Sequence, residues 1–391
     1  MAAEKNNKTL NVPNLRFPEF SEEWERFTLG SIGETFNGLT GKSAVDFGSG
    51  SPYITYKSIF DCSKVDVSKV EYVRITETER AKHAQNEVEY GDIFFTTSSE
   101  TPEEVGMASV LLTPISDCYL NSFCFGYRLF DKQTCLPDFF RFYFRSRNIR
   151  RKIAILAQGS TRFNISKNEV MKMSIFLPLQ NEQRKISKLL TLVEERIETQ
   201  RRIIEKYESL IKGIRYKLLT FNSSVRICKL KDICKITTGK LDANAMEEGG
   251  VYPFFTCAEV PFSINTYAFD TEALLVSGNG ANVGYINYCN GKFNAYQRTY
   301  VLYDFSIDIH YVRYYLDAFL KQRIDQEKNI GNTPYIVLST LADMMICIPP
   351  PSRQLEVCRV IKAMETKLTL EKNLYYLYQR SKNFILRNMF I

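Results

Sequence analysis

The groups in this 391-residue chain best suited to chemistry are polar and cationic side chains in short loops between β-rich runs. In the first half they are Lys42 and Ser43 in "GLTGKS", Tyr56 and Lys57 after "PYIT", Thr97, Ser98 and Ser99 in "TTSSE", and Ser160, Arg162 and Asn164 in "QGSTRFN". In the second they are Lys240 in "TTGK", Ser277, Asn279 and Asn282 in "SGNGAN", Tyr296, Gln297 and Arg298 in "YQRT", and Asn332, Thr333 and Tyr335 in "GNTPY". Phosphates take Lys, Arg, hydroxyls and backbone N–H groups, whereas base edges take Arg, Asn, Gln and Ser/Thr. Gln297 and Arg298, beside Tyr296, suit base edges; Lys42 and Lys240 suit phosphates. The plain alternative at each position is a solvated loop residue.

Composition bounds what could carry these loops. The length fits two or three domains, and 45% apolar with 24% charged residues is a globular balance. A net charge of +7, from 51 basic and 44 acidic residues, permits an anionic partner without requiring one. The sequence has no apolar run long enough for a bilayer, and "MAAEKNNKTL" lacks a signal-peptide core, so a cytoplasmic protein is expected. The ten cysteines form no CxxC pair, and neither histidine, His83 or His310, is close to Cys118/Cys124 or Cys228/Cys234. Reduced, mostly buried thiols are expected, with no metal site.

The elements holding the loops occur twice. Shifted by 201, "LGSIGETFNG" (Leu29 to Gly38) falls on "LKDICKITTG" (Leu230 to Gly239), and "PYIT" (Pro52 to Thr55) falls on "PFFT" (Pro253 to Thr256). The shift drops to about 180 where "DIFFT" meets "ALLVS", to 172 at Gly159/Gly331, and to 171 through the closing segments. The second half has therefore lost loop residues and kept the order of elements. Each module reads as short strands followed by a helix, "PDFFRFYFRSRNIRRKIAILAQ" in the first and "IHYVRYYLDAFLKQRIDQ" in the second. Helices do not alternate with strands, so the class is α+β, not a doubly wound sheet.

A long periodic segment closes each half. The first carries Ile186, Leu190, Val193, Ile197, Gln200, Ile204, Tyr207, Ile211, Ile214 and Leu218 at steps of four and three. The second repeats the scheme at Val357, Ile361, Met364, Leu368, Glu371, Tyr375, Tyr378, Lys382, Ile385 and Met389. That is a coiled-coil seam, and Gln200 and Glu371, polar at the matching place, suit a register device. A helix that only covers its own module is the simpler alternative. About 38 residues make a rod of roughly 57 Å. Two rods paired antiparallel within the chain would set two similar heads at a fixed spacing under an approximate two-fold, as duplex DNA with its repeat of roughly 34 Å invites.

The opening "NVPNLRFPEFSEEWERFTLGSIG", the junction "LPLQNEQRKISKLL" and its looser copy "IPPPSRQLEVCRVI", in duplicated order, resemble the specificity (S) subunit of a type I restriction–modification system over nearly the whole chain. Gln183 is matched by Gln354, but Glu182 is replaced by Arg353. The resemblance implies two target-recognition domains, 11–180 and 223–350, joined by long helices, 181–222 and 351–391, after a flexible 1–10. It also implies a non-catalytic reader of a split double-stranded DNA target. Such a reader would dock two methyltransferase (M) subunits and, through them, restriction/translocase (R) subunits. Methyl donor and ATP would then sit on those partners, with no cofactor in this chain.

An enzyme is the rival. "LLVSGNGANVG" (Leu274 to Gly284) has G-x-G after a strand, and "NTPY" resembles the N-P-P-Y loop of amino-methyltransferases, which would make the chain a stand-alone DNA amino-methyltransferase. Yet "YINYCNGKF" after Gly284 reads as a strand where a donor-binding loop opens a helix, and Thr333 replaces the first proline. The matching first-half segments, "FFTTSSETPEEVG" and "GSTRFNI", lack that chemistry. A coiled-coil interaction protein without DNA is a second rival, disfavoured by the repeated polar loops.

Overall fold

A computed structural model describes residues 11–220, 225–327 and 335–391. The 1–10 segment, and with it the expected flexible N-terminus, lies outside the described residues, as do Gly331, Asn332 and Thr333. The chain divides into two compact units, one of residues 1–199 with 375–391 and the other of residues 200–374. The long helices, Gln180–Thr220 and Pro351–Asn388, are thus not a body of their own; each contributes a part to both units.

The first unit is built on an antiparallel four-stranded sheet in the order Gly33–Asn37, Cys124–Leu129, Ile93–Thr96, Ala108–Val110. The strand "IFFT" is buried at every position, because helices cover one face and a smaller cluster around Ile54, Ile59, Phe94 and Leu120 fills the other. A three-stranded sheet of Phe47–Ile54, Glu71–Val73 and Tyr119–Leu120 flanks it. Phe139, Phe140, Tyr143 and Phe144 pack ring on ring in the main core, joined by Trp24.

The segment read as one helix from Pro137 is two, Pro137–Tyr143 and Arg147–Ile155. Arg145 lies at the break, and its guanidinium donates to the carbonyls of Ala108 (2.7 Å), Ile59 (2.7 Å) and Cys62 (2.7 Å). Ser146 is extended there and starts the second helix. Burial lowers the Arg145 pKa to about 10, yet the cation still ties the end of the Tyr56–Asp61 helix to the strand at Ala108.

The second unit has one six-stranded sheet in the order Lys235–Thr238, Thr299–Tyr303, Phe269–Ser277, Ile286–Ala295, Tyr252–Phe255, Phe262–Ile264. Its pairings are antiparallel except that of Tyr252–Phe255 with Ile286–Ala295. A single helix, Ile309–Glu327, packs Tyr311, Val312, Leu316 and Leu320 onto the sheet.

Within each unit the long helices run antiparallel. In the first, Arg196 donates to the Tyr378 hydroxyl (3.0 Å) and Lys382 to Glu194 (2.6 Å). In the second, Gln200 donates to the Glu371 carbonyl (3.2 Å) and Arg215 pairs with Glu365 (2.7 Å). Every expected seam residue is buried or half-buried. The simpler alternative also has substance at the helix ends. Ile186, Leu190, Met389 and Phe390 belong to the first core, and Leu219, Val357, Cys358 and Ile361 to the second. The expected register device is real as geometry: Gln200 and Glu371, 171 positions apart, touch each other. In an antiparallel pair of repeats only matching positions at the midpoint can meet.

Candidate nucleic-acid interface

The loops at the tip of each unit are assembled by the same backbone contacts. Gly38 and Gly239 end the first strand of their sheets, and a Cβ there would lie 2.1 Å from the Asn121 carbonyl oxygen and 1.9 Å from that of Ala295. Only glycine lets the chain lie so close to the neighbouring turn. Those turns are Asn121–Phe123 and Tyr296–Arg298, brought alongside by the Leu39–Asn121 and Leu241–Tyr296 bridges. Next to each turn runs the end of a central strand: Thr97 N–H donates to the Phe123 carbonyl (3.0 Å), and Gly278 N–H to that of Arg298 (2.8 Å). The returning loop closes the group, with Phe163 and Asn164 paired to Ser99 and Ser98, and Tyr335 bridged to Asn279. Ile165 N–H on Thr97 and Ile336 N–H on Gly278, both 2.9 Å, complete the match.

Candidates far apart in sequence thereby meet. In the first unit Tyr56, Ser98, Ser99 and Arg162 line one cavity of about 480 Å³. The Tyr56 hydroxyl donates to the Ser98 carbonyl (2.7 Å), its ring stacks on Phe60, and burial raises its pKa. In the second, Cys257 donates to the Asn279 side chain (3.0 Å) and Asn282 donates to the Cys257 carbonyl (3.2 Å). Gln297 is held by Asp242 (2.7 Å). Lys57, Ser160, Arg162, Lys240 and Arg298 are exposed, and no side-chain hydrogen bond or ion pair engages them among the described residues.

Two candidates are corrected. The Lys42 side chain is 7% exposed and its ammonium is gripped by both Glu79 oxygens (2.6 and 2.7 Å), a bond that holds the Glu79 pKa down at about 2. It has no free face for a phosphate. Ser277 is 1% exposed, beneath the surface. Others are partly spent on local structure: Ser43 bonds Asp46 (2.9 Å), Thr97 donates to the Phe123 carbonyl (2.7 Å), and Ser98 is buried. Asn164 and Tyr335 are exposed at the paired loop ends, and Tyr296 is half-buried in its turn.

The sequence reading missed Ser122 and Phe123, exposed on the first unit's turn where the second has Gln297 and Arg298. Phe123 is 59% exposed. Laying "NSFCFGYRLF" on "YQRTYVLYDF" at a shift of 175 would have found them.

The supposed donor loop does not open a helix. After the Gly278–Tyr285 loop the chain enters the strand Ile286–Ala295.

Fold and loops together define a duplicated chain: two α+β modules with equivalent loop tips, each clasped by the same antiparallel helix pair. The family model for the type I restriction modification DNA specificity domain matches residues 21–208 and again 222–376, and the chain belongs to that family. A stretch of 149 residues is 39% identical to the type I restriction enzyme EcoDI specificity subunit of Escherichia coli, covering 37% of this chain and 33% of that relative. The match thus spans about a third of the curated relative. Among solved structures, the type I restriction–modification S subunit from M. genitalium matches 97% of this chain and 99% of its own, at 15% identity and a TM-score of 0.59. A chain from a study of type I R-M complex assembly and conformational transition matches 93% and 96%, at 17% identity and a TM-score of 0.62. The HsdS subunit from Thermoanaerobacter tengcongensis matches 93% and 95%, at 17% identity and 0.51. At these identities the likeness is one of fold.

Among the described residues, no helix is long and apolar enough to cross a membrane.

Proposed function

We propose that this chain is the DNA-reading subunit of a type I restriction–modification complex and that each module reads one part of a split target. The observation that carries the reading is the repetition of the loop tip: the same glycine, turn, strand end and returning loop, held by the same backbone bonds, carry different side chains in the two units. A shared frame with divergent tips is what reading two different base sequences requires. The paired helices set the spacing of the modules under an approximate two-fold and dock two methyltransferase subunits, through which restriction/translocase subunits join. Methyl donor and ATP bind those partners, and this chain does no chemistry itself.

The test is to map methylated motifs in host DNA with this chain present and deleted. One bipartite motif disappears on deletion and returns when the chain is supplied. A motif that survives deletion overturns the reading. Tight stoichiometric binding of methyl donor by the isolated chain would instead favour the stand-alone enzyme.

A further inference from the structure

The cavity at the first unit's tip holds both halves of a base-pair code. Arg162 is exposed on a loop fixed by the pairing of Phe163 and Asn164 to Ser99 and Ser98, and its guanidinium has no ion pair among the described residues. Glu104 lines the same cavity. One of its oxygens accepts from the hydroxyls of Ser99 (3.3 Å) and Thr101 (3.0 Å), which leaves the other free of any hydrogen bond among the described residues. Arg150 pins the backbone on either side, donating to the carbonyls of Glu103 (2.7 Å) and Gly106 (2.6 Å).

A cationic fork and an oriented carboxylate therefore share one cavity without neutralising each other. A carboxylate facing a polyanion is repelled unless it finds a donor, and in the major groove that donor is the amino group of cytosine or adenine. An arginine fork needs two acceptors on one base, which guanine N7 and O6 supply. A G·C pair meets both demands within one base pair.

Resting on the reading that this tip faces DNA, we infer that the first module specifies a G·C pair, Arg162 donating to guanine O6 and N7 while Glu104 accepts from the cytosine amino group. In the second unit the segment that matches the Arg162 loop lies outside the described residues.

The test uses the assembled complex and the motif mapped in host DNA. Duplexes carrying every substitution at each position of the first module's half-site are compared for binding by the native chain, Arg162→Ala, Arg162→Lys and Glu104→Gln. The native chain rejects replacement of one G·C pair on the order of 10- to 100-fold, the span expected of a bidentate contact. Arg162→Ala and Arg162→Lys flatten that discrimination, Glu104→Gln weakens it, and the other half-site is read unchanged. If Arg162→Ala lowers affinity equally for all duplexes, Arg162 is a phosphate contact and the inference falls. It falls as well if the half-site contains no G·C pair, while the two-reader account stands in either case.

Discussion

The two units solve one mechanical problem with matching residues and differ where they face outward. Each long helix is locked to its module by a buried glutamine. In the first unit the Gln183 side chain accepts from the Leu136 N–H (2.9 Å) and donates to the carbonyls of Thr134 (3.0 Å) and Pro178 (2.9 Å). In the second, 171 positions on, Gln354 accepts from the Asp308 N–H (3.2 Å) and donates to the Pro349 carbonyl (2.9 Å). A carboxamide accepts through its oxygen and donates through its nitrogen, which suits Gln to both positions. A second lock also repeats. Glu194 accepts from Arg141 of its module and from Lys382 of the opposite helix, and Glu365 accepts from Tyr314 and from Arg215. Beside these constants, Glu182 is buried under a bidentate bond from Arg16 (2.8 and 2.7 Å), whereas its counterpart Arg353 merely pairs with Glu356 along the surface (2.7 Å). The glutamine and glutamate locks repeat between the units, whereas the Arg16–Glu182 pair of the first joint has no equivalent at Arg353 and the exposed turns carry different side chains.

That comparison can be broken at several points by unfolding measurements on the purified chain. The largest effect belongs to the helix-end plugs: Phe390, 1% exposed among Phe139 and Tyr143, and Leu219, also 1% exposed, in the second core. Phe390→Ala should cost about 3–5 kcal/mol and Leu219→Ala about 2–5 kcal/mol, each in its own unit. Equal loss in both units from one substitution would contradict independent cores. Next, Glu182→Ala should cost about 3 kcal/mol by stranding Arg16, while Arg353→Ala stays within about 0.5 kcal/mol. A smaller gap would mean the departure in sequence is not a departure in structure. Gln183→Ala should cost about 1–3 kcal/mol and Gln354→Ala somewhat less, since three and two partners respectively lose their bonds.

The smallest effect is electrostatic. Burial raises the Asp317 pKa to about 6, against the opposing pull of Arg313 and Arg215, with Glu365 adding to the rise. A raised carboxyl favours the folded state below its unfolded pKa, and that benefit is lost as pH climbs through about 6. Asp317→Asn should therefore stabilise the second unit by about 1 kcal/mol at pH 7.5 and by nothing below about pH 4. A pH-independent change would contradict this assignment.

The sequence showed the parts of this arrangement that are periodic or repeated. The seam from Ile186 to Tyr207 and from Val357 to Tyr378 was legible because steps of three and four need no tertiary knowledge. Gln183 and Gln354 stood out because one phrase occurs twice. The break at Arg145 was not legible: no Gly or Pro marks it, and its cause is carbonyls at Ile59 and Cys62, far away in sequence. Lys42 was misread for the same reason, since its partner Glu79 lies 37 residues on. Phe123 was overlooked because a search for polar loops passes over an exposed aromatic.

The central claim, that each module reads its own part of the target, is tested most directly by exchanging residues 11–179 for those of a relative with a different motif and mapping the methylated sites. The account predicts that one part of the motif changes to the donor's while the other part and the spacing remain. If both parts change together, or neither does, the two modules are not independent readers.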